Sequence, residues 1–265
     1  MVDLVRSLVD AFSETFRVKK LELAFYLDPG LTIGLRGDPT RLRQILNNLV
    51  GNAVKFTAKG SVSLRVTDIE ETANEMLVEF SVKDTGIGMS PDVQSRLFQP
   101  FVQGDLSTSR KFGGSGLGLA ISAQLVQQMD SVIELDSEPG KGSTFRFAVR
   151  FEKSKQIADA SAIKSCPVSF AGIRALVVGD GAIGREVISK LLTSYGIASR
   201  SIAREESAMR ELRSGTEQHA NYAVVLLDDG PDNKGLIFAR TIKRDSLLNK
   251  TKVIIMSWGS SNNHR

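Results

Sequence analysis

Cysteine is almost missing from the chain, with Cys166 standing alone. A single thiol excludes an internal disulfide and any metal site built on clustered cysteines. Histidine is nearly as scarce: His219 and His264 are the only two, and both are far from the motifs below. No apolar run approaches the ~20 residues that a membrane-spanning helix needs. The first residues, Met1-Val2-Asp3-Leu4-Val5-Arg6, lack a cationic segment followed by an apolar one. No secretory leader is therefore expected, and a cytosolic setting follows. Net charge is only +4, and no dense Lys/Arg run with interleaved aromatics occurs, so nucleic acid is not an expected partner.

What is present is a 265-residue chain, 42% apolar and 24% charged, with enough length for two domains and two cores. Its organising stretch is Lys83-Asp84-Thr85-Gly86-Ile87-Gly88-Met89. An alternating run from Leu77 to Val82 leads into it and reads as a strand. An acid at a strand end can accept a hydrogen bond from an amine edge. Gly86 and Gly88 let the backbone turn tightly and approach a flat ring, which a Cβ would block. Asp-x-Gly-x-Gly alone also fits a plain strand-end turn, so its partners elsewhere decide.

Leu4, Leu8, Phe12 and Phe16 recur every four residues, so residues 3–17 read as an amphipathic helix. Leu21, Leu23 and Phe25 alternate as a strand. Asp38-Pro39 is a helix start, with an N-cap acid and proline in the first turn. Leu42, Ile45, Leu46, Leu49 and Ala53 give that helix an apolar face. Asn48 and Asn52 are four apart and so lie side by side. Asparagine is a poor helix former. Either the pair sits on a solvated face or bonds another helix, or it forms a polar wall beside phosphates, with the Asn52 amide oxygen ligating Mg²⁺. Magnesium keeps several waters, so one amide plus phosphate oxygens suffices. Lys55, about a turn on, could reach a phosphate.

Val62, Leu64 and Val66 alternate, as do Val78, Phe80 and Val82, which makes a meander into the Asp84 motif. Ser90-Pro91 starts a short helix. The aromatics of Leu97-Phe98-Gln99-Pro100-Phe101 either join the core or anchor the base of a loop. Residues 103–113 are polar and glycine-flanked, the composition of a lid; Arg110 and Lys111 there could meet phosphates. Gly113-Gly114-Ser115-Gly116-Leu117-Gly118-Leu119 opens a helix to about Gln128. Glycines at a helix N-terminus leave N–H groups and the positive dipole end open to an anion. A closing hairpin runs through Glu138-Pro139-Gly140-Lys141-Gly142 to Ser143-Thr144-Phe145-Arg146-Phe147, with Thr144 expected to assist the Asp84 acid.

Taken together, residues 1–151 resemble the catalytic ATP-binding domain of sensor histidine kinases, kin to the gyrase and mismatch-repair ATPases. Asn48-Leu-Val-Gly-Asn52-Ala-Val-Lys-Phe resembles the N box and Asp84-Thr-Gly86-Ile-Gly88 the first glycine box. Leu97-Phe98-Gln-Pro-Phe101 resembles the F box, Gly114-Ser-Gly116-Leu-Gly118-Leu the second glycine box, and Gly140-Lys-Gly142-Ser-Thr144-Phe the last. The resemblance implies a two-layer α/β sandwich, a mixed sheet with helices on one face, holding ATP and Mg²⁺. It implies that Asp84 reads the adenine amine, that Asn52 holds Mg²⁺ and that Asn48 lines the phosphate side. Residues 103–116 would be the ATP lid. Asn48 and Lys55 are assigned to catalysis. Gly86, Gly88, Phe98, Phe101, Arg110, Lys111, Gly114, Ser115, Gly116, Leu117, Gly118 and Thr144 complete the nucleotide site.

Such kinases transfer the γ-phosphoryl group to a histidine on a helical dimerisation hairpin immediately upstream. Met1 lies about where that hairpin would end, and neither histidine has an acceptor's context. The expectation is therefore a fragment that binds nucleotide but does not phosphorylate itself. Its partners would be the hairpin of a homodimeric parent kinase and a downstream receiver or phosphotransfer protein. One alternative is an ATP hydrolase of the same superfamily. Another is a non-enzymatic module in which nucleotide orders the lid.

Residues 152–170 lack periodicity and read as a linker. From 171 to 265, strand and helix alternate: strands at 175–178, 197–202, 222–227 and 253–256, helices at 186–195, up to about 213 and at 237–243. An incomplete, doubly wound parallel sheet is expected. Gly179-Asp-Gly181-Ala-Ile-Gly184 follows a strand and opens a helix, with Glu205 about 20 residues on, which fits a dinucleotide-binding fingerprint. The stretch also resembles a response-regulator receiver. Tyr222-Ala-Val-Val-Leu-Leu-Asp228 is similar to the strand bearing the phospho-accepting aspartate. Val177-Val-Gly179-Asp180 is similar to the acidic-pair strand, and Val253-Ile-Ile-Met-Ser257 to the strand ending in the switch Thr/Ser. Where the family has two acids this chain has Gly179 and Asp180, and the fifth strand, its lysine and the last helix do not occur before Arg265. A degenerate receiver is expected, with Asp228 the possible phosphoacceptor. Its apolar sheet edge would need cover, and its role would be to restrain the kinase domain or its hairpin.

Overall fold

The computed structural model describes residues 1–32, 34–99, 116–154, 170, 172–217, 220–229 and 234–257. The chain divides into two compact units, Met1–Cys166 and Pro167–Arg265.

In the first unit, α1 (Val2–Lys19) and α2 (Pro39–Phe56) alternate with β1 (Glu22–Leu27), β2 (Leu35–Arg36), β3 (Ser61–Glu71) and β4 (Glu75–Asp84). The short helix α3 (Pro91–Gln94), α4 (Gly118–Gln127), β5 (Glu134–Glu138) and β6 (Gly142–Lys153) follow. The sheet runs β1-β3-β4-β6-β2, with β5 also paired to β6. Only β1 and β3 are parallel; the other pairs are antiparallel, so the sheet is mixed as expected.

Alternation sets the two faces. On β4, Met76, Val78, Phe80 and Val82 are almost fully buried, while Leu77, Glu79, Ser81 and Lys83 point to the more exposed side. The ring of Phe80 stacks on Phe147 of β6 at 4.9 Å and meets Phe151 edge-on at 6.4 Å. The buried face is covered by α1, α2 and α4, whose Leu8, Ile45, Leu46, Leu49, Val50 and Val126 join the same core. One covered and one wetter face is the usual solution for a largely antiparallel sheet.

Helix α2 starts as its sequence dictates. The Asp38 carboxylate accepts from the N–H groups of Thr40 (2.9 Å) and Arg41 (3.1 Å), which satisfies two donors left open by the first turn. At its other end Lys19 donates to the Val54 carbonyl at 2.7 Å, tying α1 to α2. Strand β6 runs on to Lys153, two residues into the stretch read as linker. The cause is β2, too short to be seen by alternation: Leu35 pairs with Lys153 and Arg36 with Glu152.

The hydroxyl of Thr57, at the end of α2, is fully buried and has no partner among the described residues. A buried hydroxyl without a hydrogen bond costs about 1–3 kcal/mol. Thr57→Val, which keeps the shape, should therefore leave thermal stability unchanged or raise it. A clear loss of stability would show that the hydroxyl holds a structural water.

The second unit is a four-stranded, wholly parallel sheet: β7 (Arg174–Val178), β8 (Ala198–Ile202), β9 (Val224–Asp229) and β10 (Lys252–Ser257), in the order β10-β9-β7-β8. Helices α5 (Ala182–Ser194), α6 (Glu205–Glu217) and α7 (Lys234–Arg244) connect them. The central strand is buried throughout, from Ala175 to Val178, as a strand covered on both faces must be. Its core draws Ala208 and Leu212 from α6, and Phe238 and Ile242 from α7. This strand order corrects the dinucleotide-binding alternative. In that fold the third strand joins the far side of the second, whereas here the third, β9, pairs directly with the first, β7. The glycine pattern at 179–184 marks a tight strand-to-helix turn, and Gly181 is the N-cap of α5.

Candidate functional site

The C-terminal end of β4 delivers Asp84 to the buried side of the sheet, where only 6% of the residue is exposed. Its Oδ1 accepts from the Gly86 N–H at 2.8 Å, and the Ser143 N–H of β6 also donates to the carboxylate. Burial pushes the carboxyl up from its ordinary value, and these two backbone bonds oppose the rise. A half-satisfied, desolvated carboxylate is an acceptor ready for a donor such as a purine amine.

The backbone around it is held at contact distance. A Cβ on Gly86 would come 2.5 Å from the Phe56 carbonyl oxygen and 2.9 Å from Asp84 Oδ1. Gly88 has φ +63°, and a side chain there would run into the Glu138 carbonyl. This turn is clamped to the β5–β6 hairpin. The Met89 N–H donates to Ser137 Oγ at 2.9 Å, the Gln94 amide donates to the carbonyls of Met89 and Ser137 at 2.9 Å each, and the Gly140 N–H donates to the Ile87 carbonyl at 2.7 Å. Ser137 Oγ also donates to the Gly142 carbonyl and lies 3.0 Å from Ser143 Oγ.

Thr144 needs correction. It pairs with Lys83, and opposed residues of an antiparallel pair share a face, so it lies on the opposite face from Asp84. The residue beside the carboxylate is its neighbour Ser143, which is 7% exposed. Strand register, not the motif, decides between the two.

The amide pair sits further back along α2. Asn48 Nδ2 donates to Ser122 Oγ of α4 at 2.8 Å, and Asn52 Nδ2 donates to Asn48 Oδ1 at 3.4 Å. Gly118, the first residue of α4, lies so close that a Cβ would meet the Asn48 amide. Lys55 Nζ stands 5.0 Å above the Phe56 ring. From Asn48 to Phe56 the helix rises about 12 Å, and the Phe56 carbonyl touches Gly86. One helix thus links the amide pair to the buried acid. Gly116 has φ +69°, and Leu117, whose side chain carries no hydrogen-bonding group, is the N-cap of α4.

The remaining residues divide. Phe98 is half-buried and packs against the first unit's core, as the core reading of its segment expected. Phe101, Arg110, Lys111, Gly114 and Ser115 lie outside the described residues. Among the described residues no group of three or more His, Cys, Asp or Glu could hold a metal. A cation here would depend on the Asn52 amide and on oxygens brought by a ligand, and both are hard donors that suit magnesium. Sequence reading missed Ser122, Ser137, Gln94 and Ser143. Serine at 122, on the otherwise apolar buried face of its helix with Ala120, Leu125 and Val126, was the available signal. A surface concavity of about 710 Å³ lined by Arg36, Thr72, Asn74, Glu75, Glu152, Lys153 and Ser154 lies at the other end of β4. Its Arg36–Glu152 ion pair, 3.4 Å long, is exposed, which marks a solvated rim.

In the second unit the residues read as receiver-like gather at the carboxyl ends of β7 and β9. A Cβ on Gly179 would lie 2.5 Å from Asp228 Cβ. Asp180 pairs with Lys234 at 3.4 Å, and the Arg185 guanidinium donates to the Gly179 carbonyl. Glu205 is held above its ordinary value by burial and by Asp180. Ser257 is opposite Asp229 at the end of β10.

Residues 37–153 match the family described as histidine kinase-, DNA gyrase B-, and HSP90-like ATPase. The sensor protein GacS of Pseudomonas syringae pv. syringae is 37% identical over 195 residues, 74% of this chain and 21% of the relative. Probable histidine kinase 5 of Oryza sativa subsp. japonica is 32% identical over 303 residues, 91% of this chain and 25% of the relative. The chain therefore spans a fifth to a quarter of these curated relatives. Among solved structures, full-length ShkA in complex with AMPPNP is similar at a TM-score of 0.68 and 27% identity, over 96% of this chain and 52% of that one. With a buried strand-end carboxylate on a mixed sheet and an amide pair on the helix that covers it, residues 37–153 form a domain of the histidine kinase-, DNA gyrase B- and HSP90-like ATPase family, similar in sequence and fold to the ATP-binding part of histidine kinases.

Proposed function

We propose that the first unit binds Mg²⁺-ATP and supplies its γ-phosphoryl group to a histidine on a dimerisation hairpin of a hybrid kinase. The observation that carries this is Asp84, a buried carboxylate between two backbone donors at the foot of the helix bearing Asn48 and Asn52. Asp84 accepts from the adenine amine, with Ser143 beside it. Asn52 offers its amide oxygen to Mg²⁺, and Asn48 and Lys55 line the phosphate side. The N-terminal turn of α4, after Gly116 and Leu117, points the positive end of the helix dipole where a phosphate would suit it. Magnesium held by the Asn52 amide would supply the positive charge that neutralises the phosphates. The chain's own residues position the nucleotide and exclude water from the purine.

The hydrolase reading needs a general base where Asn48 stands. An amide cannot take a proton from water, and this amide is already engaged with Ser122 and Asn52. The test is to mix the chain with a separately produced histidine hairpin of a relative and γ-labelled ATP. Label should appear on the hairpin, only with Mg²⁺, and not on the chain. Steady phosphate release by the chain alone, with no transfer, would favour the hydrolase.

For the second unit the reading is a receiver-like regulatory domain without phosphotransfer. Three observations support it: the parallel order β10-β9-β7-β8, Gly179 packed against Asp228 where a second acid would stand, and an Asp180 occupied by Lys234. Treatment with a small phosphodonor should leave no acid-labile adduct by intact mass. An adduct that disappears in Asp228→Ala would overturn the reading.

A further inference from the structure

Ser122 is 1% exposed, is buried inside α4 and belongs to none of the motifs. Its hydroxyl accepts the Asn48 amide N–H at 2.8 Å, a shorter bond than the 3.4 Å one between Asn52 and Asn48. An amide has one donor end and one acceptor end, so fixing one end fixes the other. With Nδ2 bound to Ser122, Asn48 turns Oδ1 toward Asn52, whose Nδ2 donates to it at 3.4 Å. That bond engages the nitrogen end of Asn52, so the oxygen is the end of this amide that a cation would take. Only the oxygen can ligate a hard cation. If Asn48 were reversed, its Nδ2 would face Asn52, and Asn52 would have to turn its own oxygen inward. The neighbouring Gly118 leaves the Asn48 amide its place, with no Cβ between them.

We propose that Ser122 is a positioning residue for the magnesium–nucleotide site, setting the orientation of Asn48 and through it the oxygen of Asn52. This rests on the reading of Asn52 as the magnesium ligand. Removing a group that orients a metal ligand typically weakens the metal about 10–100-fold, and the link here passes through two amides, so the lower end is expected.

The experiment measures the affinity of the whole chain for a non-hydrolysable ATP analogue, with Mg²⁺ and with a chelator, in Ser122→Ala, Asn52→Ala and the double variant. Ser122→Ala should lose about tenfold of the affinity gained from Mg²⁺ and keep the metal-free affinity. In the Asn52→Ala background the serine change should have no further effect. Ser122→Cys, which keeps volume and a weak acceptor, should fall between wild type and Ser122→Ala and carries the test if Ser122→Ala does not fold. A full magnesium increment in Ser122→Ala, beside its loss in Asn52→Ala, overturns the role of Ser122 alone. An increment retained in Asn52→Ala overturns the magnesium assignment itself. Equal losses with and without metal, or additive effects in the double variant, reduce Ser122 to packing and also overturn the inference.

Discussion

Asp84→Asn should weaken nucleotide binding about 100-fold while leaving the folded domain intact. A hydrogen bond to an ionised acceptor is worth about 1.5–3 kcal/mol, and the upper part of that range is two decades of affinity. The asparagine also brings an NH₂ group, which would face either the Gly86 and Ser143 N–H donors or the purine amine. Stability should not follow affinity. Burial raises the pKa of Asp84 in the folded chain above its value of 3.8 in the open. The native state therefore holds this proton more tightly than the unfolded chain. The group's contribution to stability is present in acid and is lost as pH rises through the raised pKa. At neutral pH the charge is a burden on the apo-protein, and its removal should leave the melting temperature equal or higher. Nucleotide binding runs the other way, because the amine needs the ionised acceptor, so affinity should fall as pH drops through the raised pKa. In Asp84→Asn that acid limb should flatten. Titration calorimetry at several pH values, with thermal unfolding alongside, reads both effects. Unchanged affinity in Asp84→Asn would remove the residue from the site.

Much of this was legible because the relevant signals are local. The Asp38-Pro39 cap, the four-residue spacing on α1 and α2 and the alternation on β3 and β4 each report the faces of a single element, and each led to the observed element within a few residues. The Asp84 motif and the side-by-side Asn48 and Asn52 came from the same kind of reading. What failed depends on two elements meeting. Thr144 and Ser143 are equally plausible in sequence, and only the pairing of Lys83 with Thr144 decides which is next to the acid. Ser122 looks like an ordinary helix serine until α4 lies against α2. The same holds in the second unit. Gly-x-Gly-x-x-Gly was compatible with two topologies, and the partner of β9 separates them. Tertiary placement, not propensity, carries that information.

A second large effect is expected at Gly142, the first residue of β6, for reasons that can be separated by a control. Gly142 has φ +98°, and its missing Cβ would press on the Asp84 carbonyl, with the Asp84 carbonyl carbon and the Thr85 Cα both at 2.8 Å. These are backbone atoms in a paired strand and cannot rotate away. Gly140, two residues earlier in the same turn, has φ +78° and nothing within 4 Å of a Cβ. Both glycines share the conformational cost of a side chain at positive φ, about 1–3 kcal/mol, part of which is returned because alanine restricts the unfolded chain. Only Gly142 adds overpacking, about 1–3 kcal/mol more. Gly140→Ala should therefore cost about 1 kcal/mol, and Gly142→Ala about 3 kcal/mol or more. For a unit of this size the second change should lower the melting temperature by about 6–12 °C. The clash also displaces the strand end that sends the Ser143 N–H to the Asp84 carboxylate, so nucleotide affinity should fall in Gly142→Ala and not in Gly140→Ala. Equal melting temperatures for the two variants would mean that β6 slides away from β4 at little cost. The close backbone packing that holds the acid in place would then not be what fixes it.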